Sequence, residues 1–132
     1  MKIAAITEDG NLIHQHFGRA PYYLVVTVED GQIVERELRP KLGHSHFANE
    51  PHQHEENGAG HGFDPAAQDR HAQMAAPIDD CEALLCLGMG RGAYQSMQQR
   101  GIRPVVTDIA SIDEAVQAYV DGRIVDRVDR LH

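Results

Sequence analysis

The chain has 132 residues, of which 42% are hydrophobic, and a formal net charge of −8. A chain of this length is expected to form one domain over residues 1–132, with a core that needs no disulfide or metal staple. The negative charge and the lack of a basic run argue against non-specific binding to nucleic acid or to anionic membranes. The sequence has no apolar run long enough for a membrane span and no recognisable signal peptide. Its two cysteines, Cys81 and Cys86, indicate reduced thiols and predict a cytoplasmic location.

The first part of the chain predicts three strands. Residues 2–7 form a short apolar run that is typical of a buried strand. Residues 22–29 are rich in β-branched and aromatic side chains, and residues 32–38 alternate as an edge strand does. Asp30 and Gly31 lie between these two runs and are a signal for a hairpin turn.

Residues 40–64 differ from the rest of the chain, because large apolar side chains are almost absent from them. This composition predicts a long, flexible loop. Its histidines, with nearby glutamates, form a possible loose site for Zn²⁺, Ni²⁺ or Cu²⁺, and the alternative is a solvated tract with incidental affinity for metal. The candidate ligands are His44, His46, His52, His54 and His61.

The next part of the chain alternates helices and strands. Residues 66–76 are rich in alanine and glutamine and predict a helix that ends before Pro77. Residues 83–87 are apolar and predict a buried strand, and a helix through about Arg100 follows a glycine-containing turn.

The last part of the chain predicts a short strand at residues 105–107 and a helix that ends at Gly122. Ser111 and Glu114 form a capping box, in which the hydroxyl accepts from the Glu114 amide and the glutamate reaches back. The order of elements predicts a mixed five-stranded α/β sheet, with an N-terminal hairpin and helices packed on its faces.

Two loops follow strands that should be parallel, and ligands collect at the carboxyl ends of such strands. The first is the polar stretch 8–20, in which the candidate site residues are His14, His16, Phe17, Gly18 and Arg19. A neutral imidazole binds soft or borderline metals, and an arginine pairs with an anionic ligand. One or two protein ligands would suit a preformed anionic cluster that brings its own sulfides. The alternative is that His14 and His16 are ordinary exposed loop residues.

The second loop consists of Gly88, Met89, Gly90, Arg91 and Gly92. A strand, a glycine-rich turn and a helix start can bind an anion through backbone N–H groups. The loop lacks the Gly-Lys-Ser/Thr of a Walker A motif and the spacing of a dinucleotide fingerprint. The alternative is a tight turn that needs glycine for a positive φ.

The sequence contains no motif that demands catalysis. Cys86 lies in an apolar strand and is expected to be an inert, packed thiol, and carboxylates beside Cys81 should raise its pKa. A small phosphoester hydrolase using the glycine loop is the enzymatic alternative. It would need acids near that loop, and the candidates are Glu8, Asp9 and Asp108.

Three motifs occur in a characteristic order. They are His-Phe-Gly-Arg-Ala-Pro at 16–21, the stretch from Asp-Cys-Glu through the glycine loop at 80–94, and Gly-Ile-Arg-Pro-Val-Val-Thr at 101–107. With this order and spacing the chain resembles the dinitrogenase iron–molybdenum cofactor biosynthesis family, the NifX/NafY-like proteins. The resemblance covers nearly the whole chain except residues 40–64.

The resemblance implies a single-domain, three-layer, ribonuclease H-like fold without ribonuclease activity. It implies a non-enzymatic carrier or chaperone of an iron–sulfur or iron–molybdenum type cluster, with cluster donor and acceptor proteins as partners. By the family pattern His16 is the cluster ligand and the glycine loop lines the same pocket. Arg91 and Gly92 depart from the Gly-x-Gly-Pro of many members, and Arg91 adds a positive charge facing an anionic cluster.

The resemblance leaves the cargo open, because relatives of this type also occur outside nitrogen fixation. We expect a monomer or a weak dimer. The second function kept open is a buffer or sensor for Zn, Ni or Cu that works through the histidine-rich residues 44–61, and the hydrolase is the third.

Overall fold

The computed structural model describes residues 1–41 and 73–131. The strands and α-helices in chain order are β1 (Lys2–Thr7), β2 (Tyr22–Glu29), β3 (Gln32–Pro40), β4 (Ala83–Cys86), α1 (Arg91–Gln99), β5 (Arg103–Val106) and α2 (Ile112–Val120). Short 3-10 turns lie at Ala76–Ile78 and Val128–Arg130. None of the helices in the described part is long and apolar enough to cross a membrane.

The strands form one mixed sheet in the order β3-β2-β1-β4-β5. The first three are antiparallel neighbours, whereas β1, β4 and β5 are parallel to one another. The expected mixed five-stranded sheet with an N-terminal hairpin is therefore confirmed. Asp30 and Gly31 turn the hairpin with φ of 54° and 78°, the left-handed pair that a two-residue turn between twisted strands requires.

Four strand boundaries differ from the prediction. β4 ends at Cys86 and β5 ends at Val106, each one residue earlier than predicted. β3 runs on to Pro40, and β5 begins at Arg103 rather than at residue 105. Each of the two strands contains a proline, Pro40 and Pro104, and each lies at an edge of the sheet. Proline lacks an N–H for the ladder, so an edge strand tolerates it where a central strand does not.

The helix predicted at residues 66–76 lies outside the described residues up to residue 72. Residues 73–75 are helical, and the chain continues as a 3-10 turn through Pro77 instead of stopping before it. Proline is accepted in the first turn of a helix, where its missing N–H has no acceptor to lose. The loop predicted at 40–64 lies outside the described residues from residue 42 onward.

Both faces of the sheet are covered. Residues 3–6 of β1 have no exposed surface, although successive side chains of a strand point to opposite faces. On one face Arg36 of β3 bonds Asp113 of α2 at 2.9 Å. On the other face the Tyr23 hydroxyl donates to the Met74 carbonyl at 2.7 Å. The described residues thus form three layers.

The helix ends follow the local signals in the sequence. Ser111 caps α2, with its hydroxyl accepting from the Glu114 N–H at 3.3 Å. α1 ends at Gln99, and Gly101 follows with a φ of 80°, the left-handed conformation that commonly terminates a helix. These signals fix where α2 begins and where α1 ends.

One arginine ties the outer strand β3 to the segment that leads into β4. Nη1 of Arg39 donates to the Pro77 carbonyl at 2.8 Å and to Oδ1 of Asp80 at 2.7 Å, and Nη2 donates to Oδ2 of Asp80 at 3.1 Å. Lys2 approaches the same carboxylate at 3.1 Å. These donors, Arg39 first, hold the pKa of the Asp80 carboxyl well below its usual range.

We expect Asp80→Asn to lower the free energy of unfolding by about 1 kcal/mol at pH 7, because the carboxylate is partly exposed and water screens the pair. The pKa of Asp80 is lower in the folded than in the unfolded chain. Its contribution is therefore complete above the ordinary carboxyl pKa of 3.8 and declines as the pH falls below that value. Urea unfolding of wild type and variant at pH 7 and pH 3 measures this, and the difference should be smaller at pH 3.

The matched control is Asp113→Asn, which removes the more exposed pair with Arg36. It should change the free energy of unfolding by less than about 0.5 kcal/mol at pH 7. Equal losses in the two variants would show that Asp80 contributes no more than an ordinary surface pair.

Candidate functional site

The two candidate loops leave the same edge of the sheet. β1 and β4 are parallel neighbours, with Ala5 opposite Leu85 in the register. The segments that follow them, residues 8–20 and 87–90, therefore start side by side at the carboxyl ends of these strands, where ligands collect in sheets of this type.

The first part of the segment after β1 is held by the side chains of Thr7 and Asp9. Thr7 Oγ1 donates to the Leu12 carbonyl at 2.8 Å and accepts from the Gly10 N–H at 2.9 Å. Asp9 Oδ1 accepts from the N–H groups of Leu12 at 3.0 Å and Asn11 at 2.8 Å. These two bonds lower the pKa of the Asp9 carboxyl, whose charge stabilises the turn.

The same segment is anchored to the neighbouring backbone. The His14 N–H donates to the carbonyl of Ile6 in β1 at 2.9 Å, and the Ile13 N–H donates to the Ala110 carbonyl at 2.8 Å. His14 therefore lies against the end of β1, next to the residues that lead into α2. Its backbone position is fixed by the sheet.

Residues 16–20 form a turn whose buried side chains set its orientation. The N–H groups of Arg19 and Ala20 both donate to the His16 carbonyl, at 3.2 and 3.1 Å. Phe17 and Ala20 pack into the core, whereas His16 and Arg19 are exposed. Phe17 therefore anchors the turn from below, and the turn presents the imidazole and the guanidinium to solvent.

The two histidines differ in the bonding of their rings. The His16 N–H donates to Nδ1 of His14 at 2.9 Å. A neutral His14 ring therefore carries its proton on Nε2 and has no free lone pair for a metal. No hydrogen bond joins the ring of His16 to residues 1–41 or 73–131, and the two ring centroids are 6.0 Å apart. His16 keeps its ring nitrogens available for a ligand.

A cavity of about 340 Å³ opens beside these histidines, and its walls are Glu8, Asp9, Leu12, Ile13, His14, Gln15 and His16. All of these residues belong to the segment after β1, and the glycine loop is not among them. In the described part of the chain, no group of three or more His, Cys, Asp or Glu side chains could hold a metal ion. The candidate ligands at positions 44–61 lie outside the described residues.

Lys41 is a buried cation near the turn that sequence reasoning missed. The residue is 6% exposed, and its Nζ lies 4.7 Å from the centroid of the Phe17 ring and 5.9 Å from that of Tyr23. Burial lowers the pKa of Lys41 to about 8. No sequence pattern indicated this, because a lysine after the Pro40 that ends β3 is ordinarily a solvated loop residue.

The glycine loop does not use left-handed backbone. Among the described residues, the glycines with positive φ are Gly10, Gly31, Gly101 and Gly122. The explanation that Gly88, Gly90 and Gly92 are needed for a positive φ is therefore wrong. Close packing does not require glycine at position 88 either, because a Cβ there would meet its nearest atom, the Arg130 carbonyl oxygen, only at 3.9 Å. A Cβ at Gly18 would meet no described atom within 4 Å.

The loop leads directly into the N-terminus of α1. Gly90 is the N-cap, and the first helical bond runs from the Tyr94 N–H to the Gly90 carbonyl at 3.0 Å. The N–H groups of the first helical residues have no acceptor within the helix, and the helix dipole makes this end positive. Arg91 is exposed there, whereas Met89 is 1% exposed and belongs to the core.

The C-terminal segment is bonded to β5 and to α1, the helix that follows this loop, and sequence reasoning missed that too. Asp126 accepts from the Val106 N–H at 2.9 Å and from the Tyr94 hydroxyl at 2.6 Å. The Arg127 N–H donates to the Val106 carbonyl at 2.7 Å, so the segment runs along the outer edge of β5. No local pattern connects residues 32 positions apart, such as Tyr94 and Asp126.

Of the groups considered for catalysis, all but Glu8 are buried or bonded to other groups. Both cysteines are buried, and burial raises the pKa of Cys81 and of Cys86 to about 12. Asp9 is occupied by its turn, and Asp108 pairs with Arg127 at 3.0 Å. Glu8 remains as an exposed carboxylate at the cavity.

Comparison with known proteins finds a family profile and several similar proteins, each matching most of the chain. The family profile described as "Dinitrogenase iron-molybdenum cofactor" matches residues 1–122. An uncharacterized protein of Methanocaldococcus jannaschii is 27% identical over 124 residues, which cover 94% of this chain and 89% of the relative.

Two further proteins are similar over most of this chain. The FeMo cofactor biosynthesis protein NifB of Frankia alni is 28% identical over 93% of this chain, which spans only 21% of the length of NifB. The apo form of the orange protein from Desulfovibrio gigas has a similar structure, with a TM-score of 0.64, 22% identity and coverage of 93% of this chain and 89% of that one. At this identity the structural likeness concerns the fold alone.

We expect Gly88→Ala to change the free energy of unfolding by less than about 0.5 kcal/mol, because its φ is not positive and the added Cβ has room. Gly101→Ala is the matched comparison, since its Cβ also has room but its φ is 80°. That variant should lose about 1 to 2 kcal/mol. Urea unfolding of both variants tests the difference, and equal losses would show that the loop does depend on glycine for its backbone shape.

Proposed function

The chain belongs to the dinitrogenase iron-molybdenum cofactor family, and on that premise we propose that it binds an anionic iron–sulfur or iron–molybdenum type cluster and hands it on unchanged. The similarity to a FeMo cofactor biosynthesis protein supports this class of cargo. In the proposal the protein is a non-enzymatic carrier, and its partners are the proteins that donate and accept the cluster.

The observation that carries the proposal is the state of the His16 ring. The ring is exposed on a turn that is fixed by the burial of Phe17 and Ala20, and no described residue bonds it. The neighbouring His14 ring is occupied by the His16 N–H and so orients the ligand without competing for it. A single ready imidazole is too little for a mononuclear metal site, but it suits a cluster that already has its sulfides.

The charges around His16 favour an anionic cargo on one side of the turn. Asp9 is already neutralised in part by two backbone N–H groups, and Glu8 lies on the cavity side. Arg19 is exposed on the same turn as His16. We therefore place the anion towards Arg19 and away from Glu8. The N-terminus of α1, with Arg91, is a second positive feature at this edge of the sheet.

A carrier must also release its cargo, and the site is suited to release. One protein ligand leaves most of the coordination of a cluster to its own atoms and to the acceptor protein, so transfer breaks few protein–metal bonds. The free energy that holds the cluster then comes largely from charge, which the acceptor can replace. No step in this function requires a general base or a nucleophile.

We also propose the ribonuclease H-like label for the fold. It is supported by a five-stranded mixed sheet in which an antiparallel β1–β2–β3 unit is followed by parallel β4 and β5. The carrier role does not depend on that label, since the proposed ligand His16 lies on the segment that follows the carboxyl end of β1.

We expect His16→Ala to lose most of the cluster that wild type takes up on anaerobic reconstitution with iron, sulfide and molybdate. Metal analysis and the visible absorption of the desalted protein measure this. His14→Ala should weaken retention about tenfold, as removal of a residue that orients a ligand commonly does. The matched control is Gln15→Ala, which changes another exposed wall of the same cavity and should retain the colour of wild type. A His16→Ala protein as coloured as wild type would exclude His16 as the ligand.

A further inference from the structure

Lys41 stands out in the described part of the chain because its charge is both buried and without a partner. Its Nζ is the buried side-chain nitrogen or oxygen without a hydrogen-bond partner in residues 1–41 and 73–131. None of the ion pairs among these residues includes it. An isolated buried ammonium is costly, so natural proteins seldom keep one without a use for it.

The backbone places this ammonium beneath the 16–20 turn. The Lys41 N–H donates to the Pro21 carbonyl at 2.9 Å, directly after the pairing of Pro40 with Tyr22 at the end of β3. From there the side chain reaches the ring of Phe17, the residue next to His16. The cation is thus held under the same turn that carries the proposed ligand.

The aromatic rings hold the cation without neutralising it. Phe17 and Tyr23 offer ring faces at 4.7 and 5.9 Å, and such faces attract a cation weakly compared with a carboxylate. Burial lowers the pKa of Lys41 to about 8, so the amine is still mostly protonated at neutral pH. A positive charge therefore remains below the turn, ready to be compensated from outside.

Building on the proposed function, we propose that Lys41 is the counter-charge for the anionic cargo held at His16. The ligand class is a multiply charged thio- or oxo-metal anion, of which a sulfide-bridged cluster is one. A charge in a low-dielectric interior attracts an anion more strongly than an exposed guanidinium such as Arg19, whose field water and salt screen. Binding is therefore favoured by this attraction, and it also compensates the charge that Lys41 buries in the unloaded protein.

The test compares how fast the loaded protein loses its cluster. Wild type and variants are reconstituted anaerobically with iron, sulfide and molybdate, desalted, and mixed with an iron chelator while the visible band is followed. Lys41→Met keeps the volume of the side chain and removes the charge, and it should lose the cluster about tenfold faster. Lys41→Arg restores the charge and should stay within about threefold of wild type.

The sequence provides a matched control, because Lys2 and Lys41 are its two lysines. Lys2→Met removes the same charge from an exposed pair with Asp80, at the start of β1 and so at the end of the strand opposite the turn. This variant should lose the cluster at the wild-type rate. The unloaded Lys41→Met protein should melt no lower than wild type, because it no longer buries an unpaired charge. That result separates a role in binding from a role in folding.

The outcomes distinguish this inference from the function on which it depends. If wild type takes up no cluster, the proposed carrier function fails, and the role of Lys41 fails with it. If wild type loads and Lys41→Met retains the cluster equally long, Lys41 is not the counter-charge and the carrier function stands. Rapid loss from a folded Lys41→Arg protein would also overturn the inference, since the charge alone would then not suffice.

Discussion

The candidate site depends on the burial of one aromatic side chain. Phe17 is 7% exposed, and its packing in the core fixes the turn that carries His16 and Arg19. The same ring is the surface against which the ammonium of Lys41 lies. One hydrophobic contact thus orients a potential metal ligand on the outside of the turn and a cation on the inside. Removing the ring would free both at once.

Near the 16–20 turn, the charge that an anion would meet depends on which charged groups already have partners. The chain is acidic overall, yet several of its carboxylates are tied to structural tasks: Asp9 closes a turn, Asp80 binds Arg39, and Asp126 holds the C-terminal segment. Around the turn, the imidazole of His16 and the buried cation of Lys41 have no hydrogen-bond partner among the described residues. A net charge of −8 therefore does not prevent local attraction for an anion.

Local chemistry made much of the fold predictable. The hairpin at Asp30 follows from the φ values that its turn requires, and the cap at Ser111 follows from the reach of a hydroxyl to an N–H three residues on. The alternative explanation of the glycine loop failed because composition reveals where glycine occurs but not which freedom of glycine is used. At Gly88 the φ is not positive and a Cβ would have room, and only the surrounding chain shows this.

The sequence by itself determined that five strands occur, that two loops follow β1 and β4, and that His16 is a candidate ligand. Each of these depends on residues close together in the chain. Tertiary structure decided that His14 is occupied, that Phe17 is an anchor and that Asp126 reaches Tyr94. It also decided that Lys41 is buried. The physical reason is that burial and hydrogen-bond partners are set by chain segments that meet only after folding, and no local pattern contains that information.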